Sequence, residues 1–179
     1  MPVNDTAAPC GERHTPATEP FPTSLREQAA FAVQALASAA AAGYQRIGFW
    51  RMIDGLSCQQ PGIWGAIRDD DSPRPVALAL RTAIHAFSGF SQAQLTRDGA
   101  VTTVVLDKPG GQVTVLWNTS GAPISVHVSS PRAQTMLGED MSLAPDGDGW
   151  RVDLEPATAH APSDPPGTFY LGGPPVVVS

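Results

Sequence analysis

The rhythm of apolar and polar positions changes twice along the chain. Residues 1–23 carry Pro9, Pro16, Pro20 and Pro22 without an apolar period, which reads as loop. Ser24-Leu25-Arg26-Glu27 then fits a capping box, in which the Ser hydroxyl takes one orphan N–H and the Glu carboxylate returns to another. Ala29, Phe31, Ala32, Val33, Leu36, Ala39 and Ala40 spread over one broad helical face, and Gly43 stands where a left-handed residue ends a helix. The pattern predicts a helix over 24–42 with a small-residue surface suited to close packing on a sheet. The stretch "RIGFW" follows, apolar without alternation, as in a parallel strand covered on both faces; it predicts a strand over 47–52. A second short apolar element, 62–67, comes after Pro61, and "DDDSPRP" leads into a second helix at about 75–87. Proline is tolerated in a first turn. Val76, Leu80, Ala83, Ile84 and Phe87 would face inward, and Gly89 would end the helix.

After Gly89 the apolar period falls to two. Short β-rich runs at 92–97, 101–106, 112–118, 124–128, 133–137, 149–154 and 168–171 are divided by "RDG", "KPGG", "TSG" and "PDGDG". Short strands with turn signals about every ten residues predict a small antiparallel β-sandwich. The expected organisation is therefore α/β plus β, with a boundary near residue 90. Residues 91–179 can bury a core of their own. Residues 1–90 cannot, because one or two parallel strands with two long helices leave sheet edges and an apolar helix face uncovered. They read as a piece of a larger α/β structure.

Charge narrows the partners. Asp and Glu number 17 against 11 Lys and Arg, a net charge of −6, which argues against a nucleic-acid or anionic-membrane partner. The longest apolar run is Ala-dominated and too short to span a bilayer. No charged segment followed by an apolar one stands at Met1, so no secretory leader is visible; further coding sequence upstream would leave an extracellular location open. Two cysteines make neither a disulfide framework nor a four-ligand zinc site, and the four histidines lack metal-ligand spacing. Neither a metal nor another cofactor is expected. His160 and Ser163 form no nucleophile elbow, which sets serine-hydrolase chemistry aside.

The order of several short motifs is more specific. Glu27-Gln28-Ala29, the stop at Gly43 with the strand after it, Trp64-Gly65, Arg68-Asp69-Asp70, Arg74-Pro75, Leu80-Arg81 and Leu171-Gly172-Gly173-Pro174-Pro175 occur in this sequence. Together they resemble the C-terminal region of (β/α)8-barrel glycoside hydrolases, whose last two βα units are followed by a β-sandwich. The resemblance implies a partial (β/α)8 barrel in 1–90 and a C-terminal β-sandwich domain in 91–179. It makes the 24–42 helix the seventh barrel helix and "RIGFW" the eighth strand. A full barrel takes ~250 residues, so most of its strands lie outside this chain.

The resemblance also implies a chemistry. Retaining glycosidases of this kind carry a nucleophilic carboxylate at the end of strand seven and an acid/base carboxylate at the end of strand four, ~5 Å apart. The strand-seven pattern resembles Glu-Thr-Asn-Ala-Pro, and this chain has Asp5-Thr6-Ala7-Ala8-Pro9. Asp5 then occupies the nucleophile position with a side chain one methylene shorter; its other reading is a solvated residue near a frayed terminus. No strand-four counterpart is present, so the expectation is a chain that lacks its acid/base partner. Trp50, Arg51 and Asp54 fall where the eighth strand opens onto the face that holds such sites. Trp50 could stack on a sugar ring and Asp54 could accept sugar hydroxyls, while packing and turn-capping are the competing roles; Trp64 is weighed in the same way. Trp117 and Trp150 are expected in the sandwich core. Asp69-Asp70-Asp71 reads as a solvated turn before a helix, since it lacks the spacing of a calcium loop. Cys10 and Cys58 would leave the same barrel face, so a disulfide and two free thiols both stay open.

The expected partner is carbohydrate, with the missing barrel portion, or self-association through exposed apolar faces, also in view. The competing expectation is a non-catalytic carbohydrate-binding or protein-interaction β-sandwich module.

Overall fold

Ser24 opens the first helix in the manner its sequence predicts. Its Oγ accepts from the Glu27 N–H at 3.2 Å, and its own N–H donates to Glu27 Oε2 at 2.6 Å. The computed structural model describes residues 23–44, 46–49, 52–53, 65–68, 70–160 and 169–179. Helix α1 runs Leu25–Ala41 and helix α2 runs Pro75–Phe87. Gly43 ends α1 at φ +81, where its N–H reaches Ala40 O and the Tyr44 N–H reaches Ala39 O, both at 3.0 Å. This paired closure satisfies two carbonyls that a helix end would otherwise leave bare. At the end of α2, Lys108 Nζ reaches in from the sheet and donates to Ala86 O at 2.8 Å.

The described strands are β1 Gln92–Asp98, β2 Val101–Lys108, β3 Gly111–Asn118, β4 Ile124–Val128, β5 Ala133–Thr135, β6 Asp140–Met141, β7 Ala144–Asp146, β8 Gly149–Leu154, β9 Thr158–His160, β10 Phe169–Leu171 and β11 Val176–Val178. They make a six-stranded antiparallel sheet in the order β1-β2-β3-β11-β5-β6, a three-stranded sheet β4-β8-β7 and a β9–β10 pair. The architecture is thus two helices with mostly antiparallel sheets.

Alternation along the strands sorts side chains into two cores. The register sets Val104 opposite Val115 and Leu106 opposite Val113, and this face packs with Val33, Ala37, Ala79 and Ala83 of the helices. Leu116, Val176 and Val178 point the other way and meet Val128, Val152 and Leu154 of the three-stranded sheet. Three layers result: helices, long sheet, short sheet. Alanines along α1 let that helix approach both α2 and the sheet closely, and Trp117 lies buried in the same core. Trp150 packs beside the second core. Trp117 is therefore core, but of the helix–sheet layer rather than of the sandwich, and Trp150 is only partly buried at the sandwich core's margin.

Three expectations need correction. The helix face expected to stand uncovered is instead seated on the sheet, since the apolar rows of β2 and β3 supply its partner. Ile84 does not face inward and is 64% exposed. Val76, Ala79, Leu80, Ala83 and Phe87 set the packed stripe at three- and four-residue spacing, and Ile84 follows Ala83 by one step, ~100° around the helix. The doubly covered strand over 47–52 is also absent where it can be seen. Residues 46–49 form neither helix nor strand among the described residues, and Ile47 and Phe49 are exposed. A short apolar run is ambiguous in sequence, because its cover must come from neighbours that the run does not specify.

Strand β11 holds the sheet together from an inner position between β3 and β5. The chain reaches it through Gly172 and Gly173. Gln34 Nε2 donates to both of their carbonyls at 2.9 Å, and the Gly173 N–H donates to Asn118 O at 2.7 Å. A Cβ on Gly172 would stand 2.7 Å from Trp117 Cδ1, and one on Gly173 would press on the Glu155 carbonyl. Asn118 is fully buried and spends its side chain locally, donating to Ala122 O and accepting from the Ser120 N–H.

Candidate functional site

The residues on which the sequence placed chemistry, Asp5, Trp50, Arg51, Asp54 and Trp64, lie outside the described residues, as do Cys10, Cys58 and Asp69. The chain on either side of residues 54–64 is described, and it is joined. Ile53 and Ile67 form a parallel bridge, with the Ile67 N–H donating to Met52 O at 2.8 Å. Ile67 also bridges Pro73 in antiparallel fashion, and the Arg74 N–H donates to Ala66 O at 2.9 Å. Beneath this junction the Arg74 guanidinium is fully buried and its Nη1 donates to Gly65 O at 2.7 Å. A buried cation needs such carbonyl partners to offset its lost hydration.

The turn between this junction and α2 accounts for two of the clustered carboxylates. Asp70 Oδ1 accepts from the Ser72 hydroxyl at 2.6 Å and from the Ser72 N–H at 3.0 Å, while Asp71 adopts φ +64. The Ser72 side-chain hydrogen bond, followed by the Ser72 backbone bond, holds the Asp70 carboxyl below its ordinary value. Among the described residues, no group of three or more His, Cys, Asp or Glu side chains is placed to hold a metal ion.

Around the junction apolar side chains face solvent. Tyr44, Ile47, Phe49, Met52 and Ile53 are all exposed, Tyr44 by 65%. They fall within ten residues of chain.

Three concavities stand out among the described residues. One of about 460 Å³ opens between the end of α1 and the start of β1, walled by Tyr44 and Phe90, with Ser91 and Gln92 at its edge. A second of about 440 Å³ lies beside the start of α1, and a small one of about 110 Å³ lies across from it. The Arg26–Glu155 ion pair, 2.5 Å apart, lines both of these. Both partners are more than half exposed, so this pair contributes little to stability. His127 sets Nε2 3.0 Å from Asp146 O and 3.5 Å from Asp148 Oδ1, on the exposed face of the short sheet.

No protein-family model and no curated protein matches the sequence. Among solved structures, a family 39 glycoside hydrolase from the gut symbiont Bacteroides cellulosilyticus is 18% identical, with a TM-score of 0.46 over 65% of this chain and 22% of that one. A Bacteroides fragilis protein provisionally named an alpha-galactosidase/melibiase is 15% identical, again at a TM-score of 0.46, over 90% of this chain and 30% of that one. The chain thus spans less than a third of either protein. Both likenesses are distant, and neither assigns an activity.

The sequence reading passed over the Tyr44–Phe90 groove. Its signal was present: each helix ends in a glycine followed by an aromatic, Gly43-Tyr44 and Gly89-Phe90, with both glycines at positive φ. As helix stops the two glycines account for themselves but not for the aromatic that follows each.

Proposed function

We propose that this chain is the C-terminal part of a glycoside-hydrolase-like protein. In this reading residues 1–90 carry terminal βα elements of a (β/α)8 barrel and residues 91–179 form an accessory β-sandwich. The reaction of the whole protein is hydrolysis of a glycosidic bond through an oxocarbenium-like transition state, with carbohydrate as its partner. Asp5 takes the nucleophile position, and Trp50, Arg51, Asp54 and Trp64 contact sugar. One observation supports this above the others: residues 46–49 join no ladder among the described residues and present Ile47 and Phe49 to solvent, a few residues before the parallel Ile53–Ile67 bridge. A parallel strand is a buried element that needs neighbours on both edges and cover on both faces. Barrel strands on another stretch of polypeptide would supply them.

The chain alone is not a competent catalyst in this reading, because no strand-four acid/base carboxylate accompanies Asp5. The purified 179-residue chain is expected to show no turnover of aryl glycosides above buffer. Turnover that Asp5→Asn abolishes would refute the incompetence. Coding sequence upstream that reads in frame through further βα units and an Asn-Glu pair would support the larger protein.

A second reading, a non-catalytic carbohydrate-binding or interaction module, is favoured by a different observation. The long sheet is covered on both faces, by helices on one side and the short sheet on the other. A promoter and stop codon directly upstream of Met1 would favour that module.

A further inference from the structure

We propose that two copies of this chain pair along strand β1, antiparallel about a two-fold axis at Leu95. The register shows which way β1 directs its backbone. Ala100 O accepts from the Thr119 N–H at 2.7 Å, in step with the β2–β3 ladder. Even-numbered residues of β2 therefore bond toward β3 and odd-numbered ones toward β1. Gln92, Gln94, Thr96 and Asp98 stand opposite those odd-numbered residues and spend their backbone groups on β2. Ala93, Leu95 and Arg97 direct their N–H and C=O outward, and these groups take no partner among the described residues. At seven residues β1 is also the longest outer strand of the two main sheets. The others are blunted: β6 has two residues, β4 five, and β7 three that include Pro145. A long outer strand without Pro or Gly is a template for a further strand.

With the axis at Leu95, the two Leu95 residues meet and Ala93 of each copy meets Arg97 of the other. Each such pair exchanges two N–H···O bonds. On the opposite face Gln94 meets Thr96 and Gln92 meets Asp98, all exposed and able to hydrogen-bond across the strands. Charge selects the partner. Arg97 shares its side of the sheet with Ala93 and Leu95, which pack toward the helices. Paired, it stands beside Ala93 of the second copy, in the groove that Ala93 lines with Ala40, Ala41 and Gly43. That groove holds the C-terminal end of α1, which carries negative partial charge, and α1 has no basic residue in its last turn. The second copy supplies the missing cation, once at each end of the paired strands. A strand without a matching groove would leave Arg97 unmatched, so the same residue discourages other partners. A slip that moved the axis to Arg97 would oppose two guanidiniums, which holds the register at Leu95.

The test uses the full chain carrying Ile47→Glu and Phe49→Glu, so that the exposed apolar residues there play no part. Light scattering after size-exclusion chromatography at micromolar concentration should give twice the chain mass and rise no further, because a two-fold pairing of edges closes on itself. Amide hydrogen exchange at Ala93, Leu95 and Arg97 should be slow in that dimer and accelerate on dilution. Adding Arg97→Glu should raise the dissociation constant roughly hundredfold, tenfold for each of the two contacts, with circular dichroism unchanged. Adding Arg97→Lys instead should leave the dimer in place. The proposal is overturned by a monomer at micromolar concentration, by a dimer in which those three amides exchange fast, or by an Arg97→Glu variant that dimerises like its parent. None of these outcomes bears on the barrel reading, which makes no use of the β1 edge.

Discussion

A few positions carry constraints that no neighbouring residue could take over. Gly172 and Gly173 are required by what surrounds them, Trp117 and Gln34 for the first and the 155–156 backbone for the second. Gly172→Ala or Gly173→Ala should lower unfolding free energy by ~2–4 kcal/mol, the scale of a forced backbone shift in a packed region, visible as a lower urea midpoint. Asp70 is of another kind, since its effect depends on pH. Its folded-state pKa lies below 3.8, chiefly because the Ser72 hydroxyl donates to it. The turn therefore gains from the ionised form above the unfolded-state value and loses that gain as pH falls through the lower folded-state value. A carboxyl-carbon titration by NMR should place the Asp70 midpoint below that of an unstructured aspartate, and Ser72→Ala should raise it. An unchanged midpoint in Ser72→Ala would remove the hydrogen bond as its cause.

At the scale of elements, local chemistry sufficed wherever a device sits within four residues of its target. The capping box at Ser24 and Glu27, the stop at Gly43 and the first-turn proline at Pro75 all act at that range. Helices α1 and α2 were accordingly legible in the sequence nearly to the residue. Ser24→Ala should cost ~1 kcal/mol, read as a lower thermal midpoint with α-helical circular dichroism retained below it. Strands whose partners lie far away were less legible. Strand β11 is only three valines after Pro174 and Pro175, too short a run to announce its place; β3 and β5 hold it from both sides. Strand β7 contains Pro145 and is an outer strand of its sheet, the place where proline does least harm. The segment 46–49 erred in the opposite direction, for its residues favour a strand and no ladder forms among the described residues.

For the molecule as a whole, the order of helices first and strands after could be read from the change of period near Gly89. The way the pieces assemble could not, because alternation within β2 and β3 says which residues share a face and not which element covers it. The candidate site was legible only as a resemblance, and Trp50, Arg51, Asp54 and Trp64 remain proposals. The exposed Ile47, Phe49, Met52 and Ile53 have a measurable consequence. At rising concentration the isolated chain should show an increasing mass by light scattering after size-exclusion chromatography. Ile47→Glu with Phe49→Glu should suppress that increase, whereas Ile84→Glu on the far helix should not. A constant monomer mass for the parent at every concentration would mean that this patch has no self-affinity.

The inner position of β11 also orders events during synthesis. Until residues 176–178 clear the ribosome, the β1-β2-β3 meander and the β5–β6 pair are separate fragments, each with an open edge where the last strand will sit. A newborn chain therefore offers two templates to any extended peptide nearby. Chaperone dependence should then persist until β11 is available, and a synonymous codon change that slows the codons just before residue 176 should lower soluble yield more than the same pause placed after α2.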